Sequence, residues 1–331
     1  MGWIGRATEQ CLLPDARLPL IIQPIGNRRE QLPQFASEYR RQIDDRLIEH
    51  GALLFRGFDV PTSSAFSAFV DCVSTQRLDY VYRSTPRATV ENKVFTATGY
   101  PAELEIPLHN ENAFQRDWPM RVAFYCAVPA ARGGETPIAD MRRVSASIGS
   151  EILDRFEENK IKYVRNYSPG VDLPWETVFQ TTDRAEVARY CEAEGIAFEW
   201  IGPSALRTSQ VCQGVAKHPI TNERMFFNQA HLFHVSSLGS EMAKNMLEVF
   251  GLDHLPRNAF FGNGRLISDG DLTHVRNAFA AEAIEFPWQA GDVLLLDNMQ
   301  VAHGRRPYSA RREVLVSLSD PYSATSRRAR K

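Results

Sequence analysis

The sequence predicts a mainly β fold with helical decoration, of the sandwich or jelly-roll kind. Three observations indicate this fold class. Apolar, strand-like runs occur toward both ends of the chain, helical patterns lie between them, and no glycine-rich nucleotide-binding motif connects a strand to a helix. The regular alternation of strands and helices that builds a doubly wound parallel sheet is therefore not the pattern of this chain.

Strands are predicted where short runs are rich in apolar, aromatic and β-branched residues and are bounded by turn residues. The run VAFYCAV, for example, is densely apolar and stops at Pro129. Such runs lie at 52–58, 122–128, 195–201, 224–230, 292–298 and 313–320.

Helices are predicted where apolar residues recur every three or four positions. Phe35, Tyr39, Ile43 and Leu47 form one apolar face and predict a helix over 33–50, which Gly51 ends. Further helices are predicted after Pro61, over 143–158, from Asp183 onward and over about 238–250. We expect a single domain over 1–331, with a helical insert at about 143–200 as a candidate lid.

Composition narrows the class of protein. The 331 residues include 38 basic and 40 acidic side chains, so no basic excess favours a nucleic acid or membrane partner. No apolar run has the roughly 20 residues that span a bilayer, and no signal peptide is recognisable. The five cysteines stand singly, which favours a reducing, cytoplasmic setting. We expect a small-molecule substrate; the sequence carries no signal for the oligomeric state.

Two candidate metal ligands lie close together in the sequence IPLHNENAF. His109 and Glu111 are two positions apart, and residues with this spacing share one face of a strand. An imidazole nitrogen and a carboxylate oxygen could thus reach the same ion. A third ligand must then come from another part of the chain.

His303 is the best candidate for that third ligand. It ends the apolar run GDVLLLDNMQVAH, beside a short polar turn. Two histidines and one carboxylate leave open positions on an octahedral ion, as in the facial triad of non-haem Fe(II) oxygenases. Catalytic zinc uses the same ligand types, although the helical HExxH motif is absent.

An arginine cluster follows His303 and suggests how 2-oxoglutarate would be held. One of its carboxylates chelates iron, and the other needs a cation, for which the planar guanidinium group is well suited. Arg311 and Arg312 precede the last strand, and only one of two adjacent residues can point inward. Arg305, Arg306 and Arg311 are interpreted as a solvated basic turn. Thr136, in the turn GGETPIAD, is a candidate hydroxyl donor to the same carboxylate.

The chain resembles the taurine dioxygenase / clavaminate synthase-like superfamily of Fe(II)- and 2-oxoglutarate-dependent oxygenases. Its syringomycin-hydroxylase-like branch, from non-ribosomal peptide and other natural-product pathways, is the most similar. The matching stretches occur in family order along most of the chain. They are HGALLFRGF (50–58), YRSTPR (82–87), YPAELEIPLHNENAF (100–114), GGETPIADMRRV (133–144), FFNQAHLFH (226–234) and GDVLLLDNMQVAHGRRPYSARREV (291–314).

This resemblance implies a double-stranded β-helix (jelly-roll) core and iron ligands at His109, Glu111 and His303. It also implies that Arg312 and Thr136 bind the distal carboxylate of 2-oxoglutarate, because Arg312 lies nine residues after the distal histidine, as in this branch. Taurine dioxygenase has HxD and a second arginine, where this chain has HxE and Val316. Taurine-like sulfonate chemistry is therefore not expected. The carboxylate at 111 argues against halogenation.

The implied reaction is hydroxylation of an unactivated C–H bond with O₂, releasing succinate and CO₂. The expected substrate is an amino acid, free or tethered to a peptidyl carrier protein, or a related natural-product intermediate. Desaturation and epoxidation use the same triad, while a zinc hydrolase and a metal-free binding module are the alternatives from other classes. Arg83, Arg87 and Asn228 are predicted to bind substrate, and His231 and His234 are assigned structural or supporting roles.

Overall fold

A computed structural model of the chain describes residues 3, 5–14, 16–26, 30–78, 89–91, 93–96, 99–167 and 172–323. Nineteen strands form within these ranges. They are β1 (Ala7–Cys11), β2 (Leu20–Pro24), β3 (Ala52–Phe55), β4 (Thr89–Glu91), β5 (Val94–Thr96), β6 (Ile106–His109), β7 (Asp117–Val128), β8 (Arg132–Gly133), β9 (Ile138–Asp140), β10 (Ile161–Tyr167), β11 (Ala197–Ile201), β12 (Ala205–Cys212), β13 (Val215–Lys217), β14 (Arg224–Phe226), β15 (Arg257–Phe261), β16 (Val293–Asp297), β17 (Val301–Arg305), β18 (Tyr308–Ser309) and β19 (Glu313–Ser323).

Ten α-helices form in the same described ranges, together with a 3-10 helix at Val235–Leu238. They are α1 (Leu32–Glu38), α2 (Arg40–His50), α3 (Ser63–Val73), α4 (Met141–Ile148), α5 (Ser150–Asn159), α6 (Trp175–Phe179), α7 (Arg184–Glu194), α8 (Ala230–Phe233), α9 (Ser240–Phe250) and α10 (Asp269–Ala281). None of these helices has the length and apolar content needed to cross a membrane.

Two sheets pack against each other as a jelly-roll core. The larger has the strand order β1-β2-β3-β16-β7-β19-β5-β4, and the smaller has the order β6-β17-β9. Phe124 and Leu294 of the larger sheet belong to the same buried apolar cluster as Ile138 and Val301 of the smaller one. The predicted mainly β fold with helical decoration is confirmed, and the smaller sheet carries two of the predicted ligands.

Helices cover the core on its outer sides. The first three helices pack on the outer face of the larger sheet, where Phe35 and Phe66 join Phe55 and Leu295 in one cluster. A second helical layer, which includes α4, α5 and α10, packs with a four-stranded sheet of order β11-β12-β10-β15. This four-stranded sheet contributes Arg257 to the wall of the cavity described below.

Four element predictions need correction. The helix predicted over 143–158 is divided at Gly149, whose φ of 84° and ψ of 154° are not helical, into α4 and α5. The predicted helix at 33–50 is divided at Tyr39, whose ψ of 22° interrupts the helix, although its four apolar residues are buried as expected. The strand predicted at 224–230 ends at Phe226, because Gln229 and the following residues turn into α8. The insert at about 143–200 is only partly helical, since it also contains β10, which pairs with β12 and β15. Its role as a lid and the single-domain boundary stay predictions.

Candidate metal centre

The two predicted histidine ligands lie directly opposite each other on neighbouring strands. His109 ends β6, His303 is in the middle of β17, and the two are cross-strand partners. Their ring centroids are 4.6 Å apart. Gly304 permits this close pairing, because a Cβ atom there would lie 2.6 Å from the carbonyl oxygen of Ile106. The Phe124 and His303 rings pack in a T-shaped arrangement, with centroids 5.1 Å apart.

Glu111 reaches the histidines from a turn and not from the strand. The strand ends at His109, so Glu111 does not lie on it. Glu111 is near His109 as predicted, but the predicted cause, the alternation of side chains along one strand, is wrong. Asn298 fixes the turn instead. Its Oδ1 accepts a hydrogen bond of 2.8 Å from the Glu111 backbone N–H, and its Nδ2 donates to the Glu111 carbonyl oxygen at 2.9 Å.

The three side chains form a cluster that suits a transition-metal ion. One ligand atom from each of His109, Glu111 and His303 lies within 4.8 Å of the others. The His303 Nε2 atom is 3.6 Å from the Glu111 Oε2 atom. The Nδ1 atom of His109 contacts the carbonyl oxygen of Pro107 at 2.8 Å, so a proton on Nδ1 leaves the Nε2 lone pair for a metal. The donor set of two imidazoles and one carboxylate fits Fe(II).

The segment FFNQAHLFH supports the cluster from behind. His231 Nε2 donates to the Leu108 carbonyl oxygen at 3.0 Å, and Gln229 Nε2 donates to the Asn110 carbonyl oxygen at 2.7 Å. Burial lowers the pKa of His231 to about 4, so this imidazole is neutral. His234 accepts a hydrogen bond from the Ser236 backbone N–H. The predicted supporting roles agree with these contacts.

Arg312 and Thr136 line the same cavity as the three candidate ligands. Arg312 Nε donates to the Gly134 carbonyl oxygen at 2.9 Å, and no carboxylate of the described residues forms an ion pair with Arg312. Burial, and then the positive charge of Arg305, lowers the pKa of Arg312 to about 10. Trp288 Nε1 donates to Thr136 Oγ1 at 3.1 Å, which leaves the hydroxyl proton of Thr136 for an acceptor in the cavity.

The arginines near His303 divide into buried and exposed ones. Arg311 is exposed and pairs with Glu313, while Arg306 pairs with Glu105 and Glu285, as expected for a solvated turn. Arg305 contradicts that interpretation. It is 4% exposed, lines the cavity, and donates hydrogen bonds to the carbonyl oxygens of Tyr100, Pro101 and Leu104. Its position in the paired strand β17, two residues after His303, turns it inward.

Of the predicted substrate-binding residues, Arg83 and Arg87 lie outside the described residues. Asn228 is not brought to the cavity, contrary to the prediction. It is fully buried, its Nδ2 donates to the Gly214 carbonyl oxygen at 2.6 Å, and its Oδ1 accepts from the Ala230 backbone N–H at 2.9 Å. The first bond ties the side chain to the segment before β13, and the second lies at the first residue of α8. The adjacent Gln229 lines the cavity instead.

The cavity has a volume of about 570 Å³, which suits a small molecule together with a cosubstrate. Apolar residues from α8, the 3-10 helix, α9 and the segment before β15 form much of its wall. They are Leu232, Phe233, Val235, Leu238, Met246, Leu255 and Pro256. Asp172 and Arg257 also line the cavity, and the sequence did not indicate a role for either residue.

A jelly roll that brings two histidines, a glutamate and a buried arginine into one cavity has the features of the Fe(II)- and 2-oxoglutarate-dependent oxygenases. The sequence profile described as "Taurine catabolism dioxygenase TauD, TfdA family" matches residues 19–318. The chain belongs to this family, and it is an Fe(II)- and 2-oxoglutarate-dependent dioxygenase.

Two related sequences are similar to this chain over most of their lengths. Dapdiamide synthesis protein DdaC of Enterobacter agglomerans is 44% identical over 279 residues, which make up 84% of this chain and 85% of that protein. A clavaminate synthase-like protein of Arabidopsis thaliana is 31% identical over 318 residues, or 92% of this chain and 89% of its own length. Both similarities agree with the family assignment.

Solved structures show the same fold at low sequence identity. PvcB of Pseudomonas aeruginosa superposes with a TM-score of 0.55 at 13% identity, covering 95% of this chain and 91% of PvcB. AAD-2 in complex with Mn(II) and N-oxalylglycine also gives 0.55, at 16% identity, covering 97% of this chain and 99% of AAD-2. The superfamily resemblance is confirmed, and the syringomycin-hydroxylase-like branch stays a prediction.

Proposed function

We propose that His109, Glu111 and His303 bind the Fe(II), and that Arg312 and Thr136 bind the distal carboxylate of 2-oxoglutarate. One observation carries this proposal. The partly buried guanidinium of Arg312 has no acidic ion-pair partner in the described chain, and it shares a cavity with a cluster of three metal-ligating side chains. A buried cation is costly unless it is paired, so an anionic ligand is the expected partner.

The protein's own residues position the reactants. Bound Fe(II) supplies the O₂-activating chemistry, coupled to oxidation of 2-oxoglutarate to succinate and CO₂. Asn298 and the Pro107 carbonyl group orient Glu111 and His109, and the Arg312 and Thr136 side chains fix the cosubstrate. The apolar wall of the cavity excludes water from the reacting C–H bond.

The reaction we propose is hydroxylation of an unactivated C–H bond in an amino acid, free or tethered to a peptidyl carrier protein, or in a related natural-product intermediate. Similarity to a dapdiamide synthesis protein supports a role in natural-product or antibiotic biosynthesis. Desaturation or epoxidation would use the same residues. The five free cysteines are consistent with action in the reducing cytoplasm.

Anaerobic titration with Fe(II) and 2-oxoglutarate tests the assigned residues through the visible metal-to-ligand charge-transfer band. Wild-type protein should give the band, while His303→Ala and Glu111→Ala should lose it. His254→Ala is a suitable control, because His254 is exposed and does not line the cavity. An unchanged band in either ligand variant would show that these residues do not hold the iron.

The same preparation separates the alternatives from other classes. A zinc hydrolase would act without O₂ and form no succinate, and a non-catalytic binding module would not bind Fe(II). Succinate formation that requires Fe(II), O₂ and 2-oxoglutarate together excludes both alternatives.

A further inference from the structure

Arg257 is a third arginine that lines the cavity, besides Arg305 and Arg312, and it comes from a different sheet than Arg305. Arg257 begins β15 in the four-stranded sheet, and its side chain is 36% exposed. Asp172, the cavity-lining residue that pairs with it, has a side chain that is 12% exposed. This ion pair belongs neither to the metal cluster nor to the proposed cosubstrate contacts.

The pair holds the Arg257 guanidinium in one orientation. Arg257 Nε donates to Asp172 Oδ2 at 3.1 Å, and Nη2 donates to Asp172 Oδ1 at 2.7 Å. Oδ1 also accepts from the Leu173 backbone N–H at 2.8 Å, which fixes the carboxylate. The Phe233 ring lies below the guanidinium, 5.6 Å from its carbon atom to the ring centroid. Because Asp172 fixes one edge of the guanidinium and the Phe233 ring packs against its face, the group is preorganised to bind a ligand.

One edge of this guanidinium is available to a ligand. A guanidinium carries five N–H donors, and Asp172 engages only the edge formed by Nε and Nη2. Nη1 makes no hydrogen bond to any residue in the described ranges. The end formed by Nη1 and Nη2 has the geometry that binds a carboxylate through two parallel hydrogen bonds.

The local charge favours an anion at this position. Arg165 is the cross-strand partner of Arg257 in the β10–β15 pair, so two like charges lie opposite each other. Burial acts to raise the pKa of Asp172, but the charge and hydrogen bonds of Arg257, with the charge of Arg165, lower it below its usual value. The Asp172 carboxylate thus stays ionised and interacts with both arginines. A second anion would be stabilised here as well.

We propose that Arg257 binds a carboxylate group of the organic substrate, and that Asp172 is the positioning residue that orients its guanidinium. This inference rests on the proposed function and narrows its substrate class. A free amino acid offers such a carboxylate, whereas an aminoacyl thioester on a carrier protein has used its α-carboxylate in the thioester. The remainder of the substrate would lie along the apolar wall at Leu232, Val235 and Leu255.

Paired probes test the carboxylate directly. Free L-amino acids and the carboxamide of each are supplied with Fe(II), 2-oxoglutarate and O₂, and succinate is measured above the level without a probe. For the best probe, wild-type kcat/KM should favour the free acid. Arg257→Gln should lower kcat/KM for the acid by about 10- to 100-fold, chiefly through KM, and leave the carboxamide almost unchanged. Arg257→Lys should retain part of the preference, because the charge remains.

Two further variants separate binding from structure. Asp172→Asn should raise the KM of the acid more than it lowers kcat, because the guanidinium loses its orienting partner. Arg207→Gln is the matched control. Arg207 lies in β12 of the same sheet, 3.9 Å from Asp253, and does not line the cavity, so its loss should leave both probes unaffected.

Several results would overturn this assignment. The wild-type enzyme could prefer carboxamides or show no preference, or no free acid could raise succinate formation. Alternatively, Arg257→Gln could lower kcat/KM equally for the acid and the carboxamide. The charge-transfer band keeps these outcomes distinct from failure of the proposed function. A wild-type protein with the band but no carboxylate preference refutes only the role of Arg257, whereas a protein without the band refutes the iron and cosubstrate assignment.

Discussion

Replacing Arg312 with methionine should stabilise the protein in the absence of cosubstrate while greatly weakening 2-oxoglutarate binding. Its burial, together with the charge of Arg305, lowers the pKa of Arg312 to about 10. At about 1.4 kcal/mol per unit of pKa shift, the lowered pKa of Arg312 corresponds to about 3 kcal/mol of unfavourable electrostatic free energy in the folded state. Methionine removes that cost and fills a similar volume, so the melting temperature of the ligand-free variant should rise by a few degrees.

The same substitution would remove the two charge-assisted hydrogen bonds that the proposed contact between Arg312 and the distal carboxylate of 2-oxoglutarate implies. Two such bonds contribute about 4 kcal/mol of binding free energy, so the dissociation constant for 2-oxoglutarate should rise roughly a thousand-fold. Anaerobic charge-transfer titration measures that constant, and thermal denaturation measures the stability.

Arg311→Met is the matched control, because the Arg311 side chain is 77% exposed and pairs only with Glu313 among the described residues. The reasoning fails if Arg311→Met weakens binding as much, or if Arg312→Met melts lower yet binds 2-oxoglutarate normally.

Three other substitutions test the surroundings of the site. Gly304→Ala should weaken Fe(II) binding by about 10- to 100-fold. The added Cβ would lie 2.6 Å from the Ile106 carbonyl oxygen and would push β17 away from β6. An unchanged Fe(II) affinity would contradict this prediction. Trp288→Phe should raise the KM for 2-oxoglutarate about five-fold, because Thr136 Oγ1 loses the donor that orients it. Steady-state kinetics measure this KM, and an unchanged value would contradict the prediction. His231→Gln should flatten the acid side of the stability profile. The pKa of buried His231 is about 4, against about 6.5 when unfolded, so its contribution is present above pH 6.5 and lost toward pH 4, by about 3 kcal/mol. Urea denaturation at several pH values measures this slope, and equal slopes in both proteins would count against it.

The features that the sequence predicted well depend on local patterns. Periodic apolar residues identified the helix face of Phe35, Tyr39, Ile43 and Leu47, all of which are buried. The split at Tyr39 was not predictable, because the apolar period continues through this residue while its backbone, with φ of −107° and ψ of 22°, leaves the helical conformation. The strand β10 was missed for a similar reason, since Lys162 and Arg165 interrupt its apolar pattern.

The site shows the same limit more clearly. His109, Glu111 and His303 were found from residue types and spacing, yet Glu111 reaches its place through a turn that Asn298 holds from a distant segment. Arg305 and Arg257 were missed because nothing in the local sequence distinguishes an arginine that lines a cavity from a solvated one. Asn228 was assigned to the substrate, but its amide hydrogen-bonds to the backbone at Gly214 and Ala230.

The pairing of His109 with His303 links catalysis to the mechanical integrity of the barrel. The two strands that carry these residues come from distant parts of the chain and meet at one edge of the core. An ion bound to both histidines would stabilise the pairing of β6 with β17, because separating the two strands would require release of the ion. Amide protons of β6 and β17 should therefore exchange more slowly when metal is supplied, and a chelator should speed their exchange before it affects β16 at the centre of the larger sheet.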